Sequence, residues 1–286
     1  MVELEIPDGD PWWLSTDVWA VPGSDPLGSE GTPVAGDTCY LWARVTNNGT
    51  GPVSSASVRF YWADPSVGFD RDTANLVGTS YVSLDAGETS DVLCLTPWVP
   101  TFVNDGHECI LAEAFHSSYD PLPSTPAFNV STDRHVAQRN LSVIEAPSGF
   151  FSMMFLVVNR QRKERQFTLR VTRVRVESIA ALTKRLRIDI PRDGADGRGG
   201  TVGIVDARCP SPDVLKQLSR EPQAVKVKGW GKAVRTIVGS LEGGSALYHV
   251  EQLDGNRPIG GLSVLALRKS GAREVDHKHR VLEGRP

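Results

Sequence analysis

Gly194-Ala195-Asp196-Gly197-Arg198-Gly199-Gly200-Thr201 has the glycine spacing of a phosphate-binding loop, but a glycine stands where such a loop needs a lysine to neutralise the terminal phosphates. Nucleotide binding is therefore not expected. Asp189, Asp193 and Asp196 offer carboxylates without the alternating oxygen ligands of an EF-hand, and a solvated turn is the reading taken. His277-Lys278-His279 brings two imidazoles together, an incomplete coordination set beside several positive charges. Cys39, Cys94, Cys109 and Cys209 lie far apart, without CxxC pairs, and read as free thiols. No serine occupies a nucleophile elbow, and no cysteine sits in a recognisable catalytic setting beside a histidine. The expectation is a non-enzyme with no catalytic residues, no metal site and no cofactor; sequence alone leaves open a triad assembled in space.

Charge is more informative. Residues 1 to 145 hold five arginines, no lysine and twenty acidic residues, net −15, whereas residues 146 to 286 hold twenty-six basic and fourteen acidic residues, net +12. One half attracts what the other repels. In the basic half, Arg162, Lys163 and Arg165 fall at a hairpin tip, and Lys184, Arg185 and Arg187 in a helical stretch. In the acidic half, Trp12, Trp13 and Trp19 precede the first confident strand. Exposed, these indoles could stack on sugars or dock in another subunit; buried, they would cover an open end or edge of the domain, which is the reading taken. These nine residues are the interaction candidates. Phosphate-backbone binding by the basic half is a weaker expectation, because no series of aromatic stacking platforms accompanies the cations and the acidic half would repel a polyanion.

The elements that would carry these residues are strands. Cys39, Leu41, Ala43 and Val45 alternate with Tyr40, Trp42 and Arg44; Val58, Phe60 and Trp62 alternate with Arg59 and Tyr61. Similar runs recur at 76–84, 90–95, 108–115 and 136–144, separated by Gly, Pro, Asp or Asn clusters, which predicts an antiparallel sandwich. Pro33-Val34-Ala35-Gly36-Asp37, Val45-Thr46-Asn47-Asn48-Gly49-Thr50, Val58-Arg59-Phe60-Tyr61-Trp62-Ala63-Asp64-Pro65, Leu84-Asp85-Ala86-Gly87-Glu88 and Trp98-Val99-Pro100 follow in order. With His107 to Ala114 and Val136 to Leu141, they make residues 15 to 144 resemble the bacterial cell-adhesion-related (CARDB-like) immunoglobulin-type domain. The resemblance implies a seven-stranded sandwich used for binding or display, with no shared catalytic residues. Immunoglobulin domains join strands B and F by a disulfide beside a strand-C tryptophan; Cys39, Cys109 and Trp62 sit in comparable strands. Strand parity argues against that bond, since Cys109 shares the phase of Glu113, expected to face water, while Cys39 points to the core.

A short break at Glu145 to Gly149 predicts two sandwiches packed end to end: an acidic domain 1–145 with its Trp-rich arm and a basic domain 146–270. The ending more loosely resembles a second such sandwich. FFSMMFLVVN at 150–159 is apolar on both faces and reads as buried, and the phase change from Val171 to Val174 predicts a β-bulge near Thr172-Arg173. Residues 177–232 form a partly helical insertion, with helices over 177–187 and from Ser211 to Ser219, and 271–286 a polar, flexible tail. The fold class is mostly β, two tandem immunoglobulin-like antiparallel β-sandwiches. A structural or adaptor subunit is expected, with protein partners in self-assembly or a larger complex, nucleic-acid binding as the weaker alternative beside a carbohydrate- or surface-binding module, and no membrane insertion. Its place is cytoplasmic, for want of a signal peptide, or outside the cell as part of an exported assembly.

Overall fold

The computed structural model describes residues 1–64, 69–72, 74–101, 109–191, 200–219 and 221–268. The loop at 193–199, the tail with His277 and His279, and the start of the 108–115 run lie outside the described residues.

The first sandwich follows from alternation. β1 (Leu4–Glu5), β2 (Val18–Pro22), β3 (Cys39–Asn47) and β6 (Thr89–Leu93) form one sheet around β3. β4 (Val53–Ala63), β5 (Asn75–Leu84), β7 (Cys109–Phe115) and β8 (Val136–Arg139) form the other, in the order β5-β4-β7-β8. Leu41, Ala43 and Val45 of β3 meet Val58 and Phe60 of β4 and Ala112 and Ala114 of β7 in one core. Burying such side chains contributes roughly 1.5–3 kcal/mol each for the larger ones.

The second sandwich sets β10 (Phe150–Val158), β12 (Val202–Val205) and β14 (Lys232–Ser240), ordered β10-β14-β12, against a five-stranded sheet. That sheet runs β13-β11-β15-β16-β9 through β13 (Gln223–Val227), β11 (Arg165–Val174), β15 (Ser245–Asp254), β16 (Arg257–Leu267) and β9 (Leu141–Glu145). Phe151, Met153, Phe155 and Val157 face Phe167, Leu169, Tyr248, Val250 and Val264. β10 is an edge strand, and Phe150, Met154 and Leu156 on its other face are only half-buried, in place of the full burial expected for an apolar run.

Several expectations need correction. The run 136–144 is not one strand: Asn140 leaves the first sheet, and β9 pairs in parallel with β16, Ser142 beside Val264. The chain thus changes sandwich at Asn140, ahead of the break at 145. Glu113 does not face water; it is fully buried, because Phe69, Phe128 and Val130 cover the outer face of β4 and β7. Cys39 and Cys109 belong to clusters on opposite faces, and both are free thiols. No bulge interrupts β11 beside β15, where residues Thr168 to Val174 pair without a break; the register shift lies between Gln252 and Leu253. The apolar phase changes because Val174 and Val176 serve a cluster on the outer face of the five-stranded sheet. The helical stretch is a 3-10 turn, Val176–Ile179, running into α1 (Ala180–Arg185). The second stretch is a 3-10 helix, Pro212–Gln217.

Candidate interaction sites

The nine candidate residues separate into two places. The first is the joint between the sandwiches. The arm of residues 7–17 crosses from one sandwich to the other, held by Ser15 N donating to Gln138 O (2.9 Å) and Asn140 N donating to Trp13 O (2.9 Å). Trp13 is only 3% exposed. Its Nε1 donates to Ser263 Oγ (2.9 Å), and its ring lies edge-on to His249 (5.5 Å) and to Trp12 (5.2 Å). A Cβ at Gly261 would stand 2.4 Å from the indole, so only glycine admits this approach. Because the wedge lands on β15 and β16 in mid-sheet, the second sandwich meets the first with the outer face of its sheet, not its end as expected.

The joint also holds a serine-histidine pair. Ser263 Oγ lies 2.8 Å from His249 Nδ1. Yet Ser263 is fully buried beneath Trp13, so the pair closes a contact and has no route to a substrate. Burial holds the His249 imidazole below its ordinary pKa, which keeps it neutral and able to accept at Nδ1.

Beside the wedge, one ion pair and one hydrogen bond join the halves. Arg185 Nε donates to Glu30 Oε2 (2.6 Å) and Arg187 to Ser29 Oγ (2.6 Å). The Arg185 guanidinium stands over the Trp19 ring (5.9 Å), and Trp19 stacks on Trp42 (5.9 Å). Glu30 also accepts from Arg139, which is buried. Trp12, Trp13, Trp19, Arg185 and Arg187 are therefore engaged within the chain, and no bare indole face remains at Trp13 for a sugar. Lys184 stays exposed.

The second place is a basic tip. The turn joining β10 to β11 and the turn joining β13 to β14 are laced through Asn159, which is 1% exposed. Asn159 Nδ2 donates toward Lys163 O (2.8 Å), Val227 O and Lys228 O (3.0 Å each), and Asn159 N donates to Gly231 O (3.0 Å). Trp230 N donates to Gln161 O (2.9 Å). At the apex Trp230 adopts φ +54° and is 66% exposed. A left-handed conformation costs an L-residue roughly 1–2 kcal/mol. A large apolar ring is held out to solvent in a strained backbone, a combination that marks contact surfaces. Around it Arg162, Lys163, Lys226, Lys228 and Lys232 are exposed, and none forms an ion pair among the described residues. Arg165 has Gln161 Oε1 at 2.6 Å and Asp254 at 3.8 Å.

Sequence reasoning placed Arg162, Lys163 and Arg165 at this tip and missed Trp230. Its signal was present in Lys228-Gly229-Trp230-Gly231-Lys232, a glycine-bracketed turn. Also unforeseen is an open groove of about 760 Å³, where β13 stops pairing with β11 beyond Leu169 and the two sheets part. Leu169, Val171, Val202 and Ile204 form its apolar wall, with Arg173 and Glu221 among the residues around them. Among the described residues no cluster of three or more His, Cys, Asp or Glu converges as a metal site, and no helix is long and apolar enough to cross a membrane.

No family model matches the chain, and no curated protein matches it. Among solved structures it is similar to the CARDB domain of a Pyrococcus furiosus protein in complex with di-metal ions, at 18% identity and TM-score 0.28, over 48% of this chain and 84% of that one. It is also similar to a β-glucosidase from Kluyveromyces marxianus, at 20% identity and TM-score 0.22, over 44% of this chain and only 14% of the enzyme. A third is a bacterial adhesin from Mobiluncus mulieris, at 6% identity and TM-score 0.25, over 89% of this chain and 98% of that one. At these scores the likenesses carry no argument about activity or partners; what stands is a mostly β chain built of two sandwiches.

Proposed function

We propose that the chain is a non-enzymatic structural or adaptor module that works through protein-protein contacts. The observation that carries this reading is the joint: a buried tryptophan wedge and the Arg185-Glu30 ion pair hold two sandwiches together at one mutual angle. A module that must present surfaces at set positions needs such an angle, because interdomain freedom costs entropy at every contact made with both halves. The unpaired tip supplies a surface for those contacts. Small-angle scattering of the monomer tests the reading. One arrangement of the sandwiches should fit the whole curve, and Trp13→Ala should broaden the distance distribution. A wild-type curve that requires an ensemble of interdomain angles would contradict it.

A further inference from the structure

The far end of the first sandwich complements the tip in charge. Asn47 gathers it: Glu3 N donates to Asn47 Oδ1 (3.2 Å) and Asn47 Nδ2 donates to Asp85 O (3.1 Å). Glu3, Asp85 and Glu88 are exposed there, with Glu5 half-buried beside Asn48. Leu4 N donates to Asp120 Oδ2 (2.6 Å), which brings the neighbouring Tyr119 to the same end. Tyr119 is 66% exposed and its ring stacks on His116 at 4.5 Å. Arg134 is bonded to Asp120 and lies 3.8 Å from Glu3, and the Met1 ammonium is held at Thr50, so two cations offset part of the negative charge, which Asp85, Glu88 and Glu5 still leave in excess. This end thus offers exposed carboxylates and, beside Asp120, an exposed aromatic ring, and the tip offers cations and an exposed indole.

We propose that the tip of one copy docks on this end of a second copy, with Trp230 packing against Tyr119 and Arg162, Lys163, Lys228 and Lys232 facing Glu3, Glu5, Asp85 and Glu88. The inference rests on the reading of the chain as a protein-contact module and names its partner. An aromatic anchor within a charged rim is the arrangement that concentrates binding energy at an interface while the charges set orientation. The two patches differ, so the contact is heterologous: every copy can both give and receive, and assembly grows unless the angle closes a ring.

Sedimentation velocity of the full chain at low salt, and at about 1 M salt where the screening length falls to ~3 Å, tests it. Wild type should form species larger than a monomer at low salt and dissociate at high salt. Arg162→Glu/Lys228→Glu/Lys232→Glu and Glu3→Lys/Asp85→Lys should each stay monomeric with an unchanged melting temperature. Mixed together, they should restore association, because one keeps the acidic end and the other keeps the tip. Trp230→Ala should weaken association at least ~10-fold. A wild type that is monomeric throughout, association that survives both charge reversals, or a mixture that stays monomeric would overturn the proposal. So would a monomeric wild type whose tip retards a fluorescein-labelled single-stranded oligonucleotide, an outcome that assigns the tip to phosphate polyanions. The scattering curve of the monomer is untouched by any of these results.

Discussion

Arg185 and Arg162 look alike in the sequence, each inside a basic cluster of the basic half, yet the fold uses them in opposite ways. Arg185 reaches across the joint to Glu30 and lies over Trp19. Arg162 stands exposed beside Lys228 and Lys232 with no ion pair among the described residues. The contrast extends further, since all five arginines of the acidic half are paired: Arg44 with Asp17 and Asp91, Arg59 and Arg71 with Glu113, Arg134 with Asp120, and Arg139 with Glu30. Net charge therefore overstates what a domain can offer a partner. Part of the asymmetry is used to join the halves, while Arg162, Lys163, Lys226, Lys228 and Lys232 at the tip stay exposed without an ion pair among the described residues.

The comparison breaks first at the wedge. Trp13→Ala should cost about 3–5 kcal/mol, as truncations of large buried aromatics do, and should appear in chemical denaturation as a lower midpoint or as separate transitions of the two sandwiches. Gly261→Ala drives a methyl into the same indole and should cost about 1–3 kcal/mol by overpacking; an unchanged midpoint would show that the ring has room to move. The joint should also be sensitive to pH. Burial lowers the pKa of His249 in the folded state, so its contribution to stability is whole above the ordinary histidine value of about 6.5 and falls as pH drops below it. His135 acts in the opposite sense. Its contacts to Asp133 (2.7 Å) and Asp120 (3.2 Å) raise its pKa against the opposing effect of burial, so its contribution is whole below about 6.5 and is lost as pH rises through the raised value. Comparing wild type with His249→Asn in thermal melts from pH 8 to 5 isolates the joint, and the variant should lose less stability on acidification. The smallest effects belong to the tip: Lys228→Glu should change stability by no more than about 0.5 kcal/mol. Trp230→Asn, which places a residue tolerant of positive φ at the apex, should not lower the melting temperature.

Much of the architecture was legible in the sequence, because strands with one buried face write their alternation directly, as β3 does with Cys39, Leu41, Ala43 and Val45. What failed to read out were the places where a second layer covers a face. Glu113 looked solvent-facing by parity. The fold buries it against Tyr61 Oη (2.6 Å) and Arg71 Nε (2.6 Å), under Phe128 from a distant loop. Val174 and Val176 imitated a bulge because the outer face of their sheet is covered as well. The split at Asn140 was hidden because β8 and β9 follow one another with a single residue between them, and long-range bonds of Asn140 to Trp13, Gly261 and Ser263 mark the change of sheet. The candidate residues divide between side chains that contact their own chain, such as Arg185, and side chains left exposed, such as Arg162 and Lys163. Which of them contact their own chain depended on the joint, and the joint is set by a single arm whose tertiary position leaves no periodic trace.

The most direct test reverses one charge in each region and melts both variants under the same conditions. Arg185→Glu sets a carboxylate against Glu30 beside Trp19 and should lower stability by about 2 kcal/mol, or about 4–8 °C in melting temperature. Arg162→Glu, the same change of charge, should leave the melting temperature within about 1 °C of wild type, in keeping with an exposed, unpaired side chain. Equal shifts for the two variants would contradict the division between a joint that uses its charges internally and a tip that keeps them free.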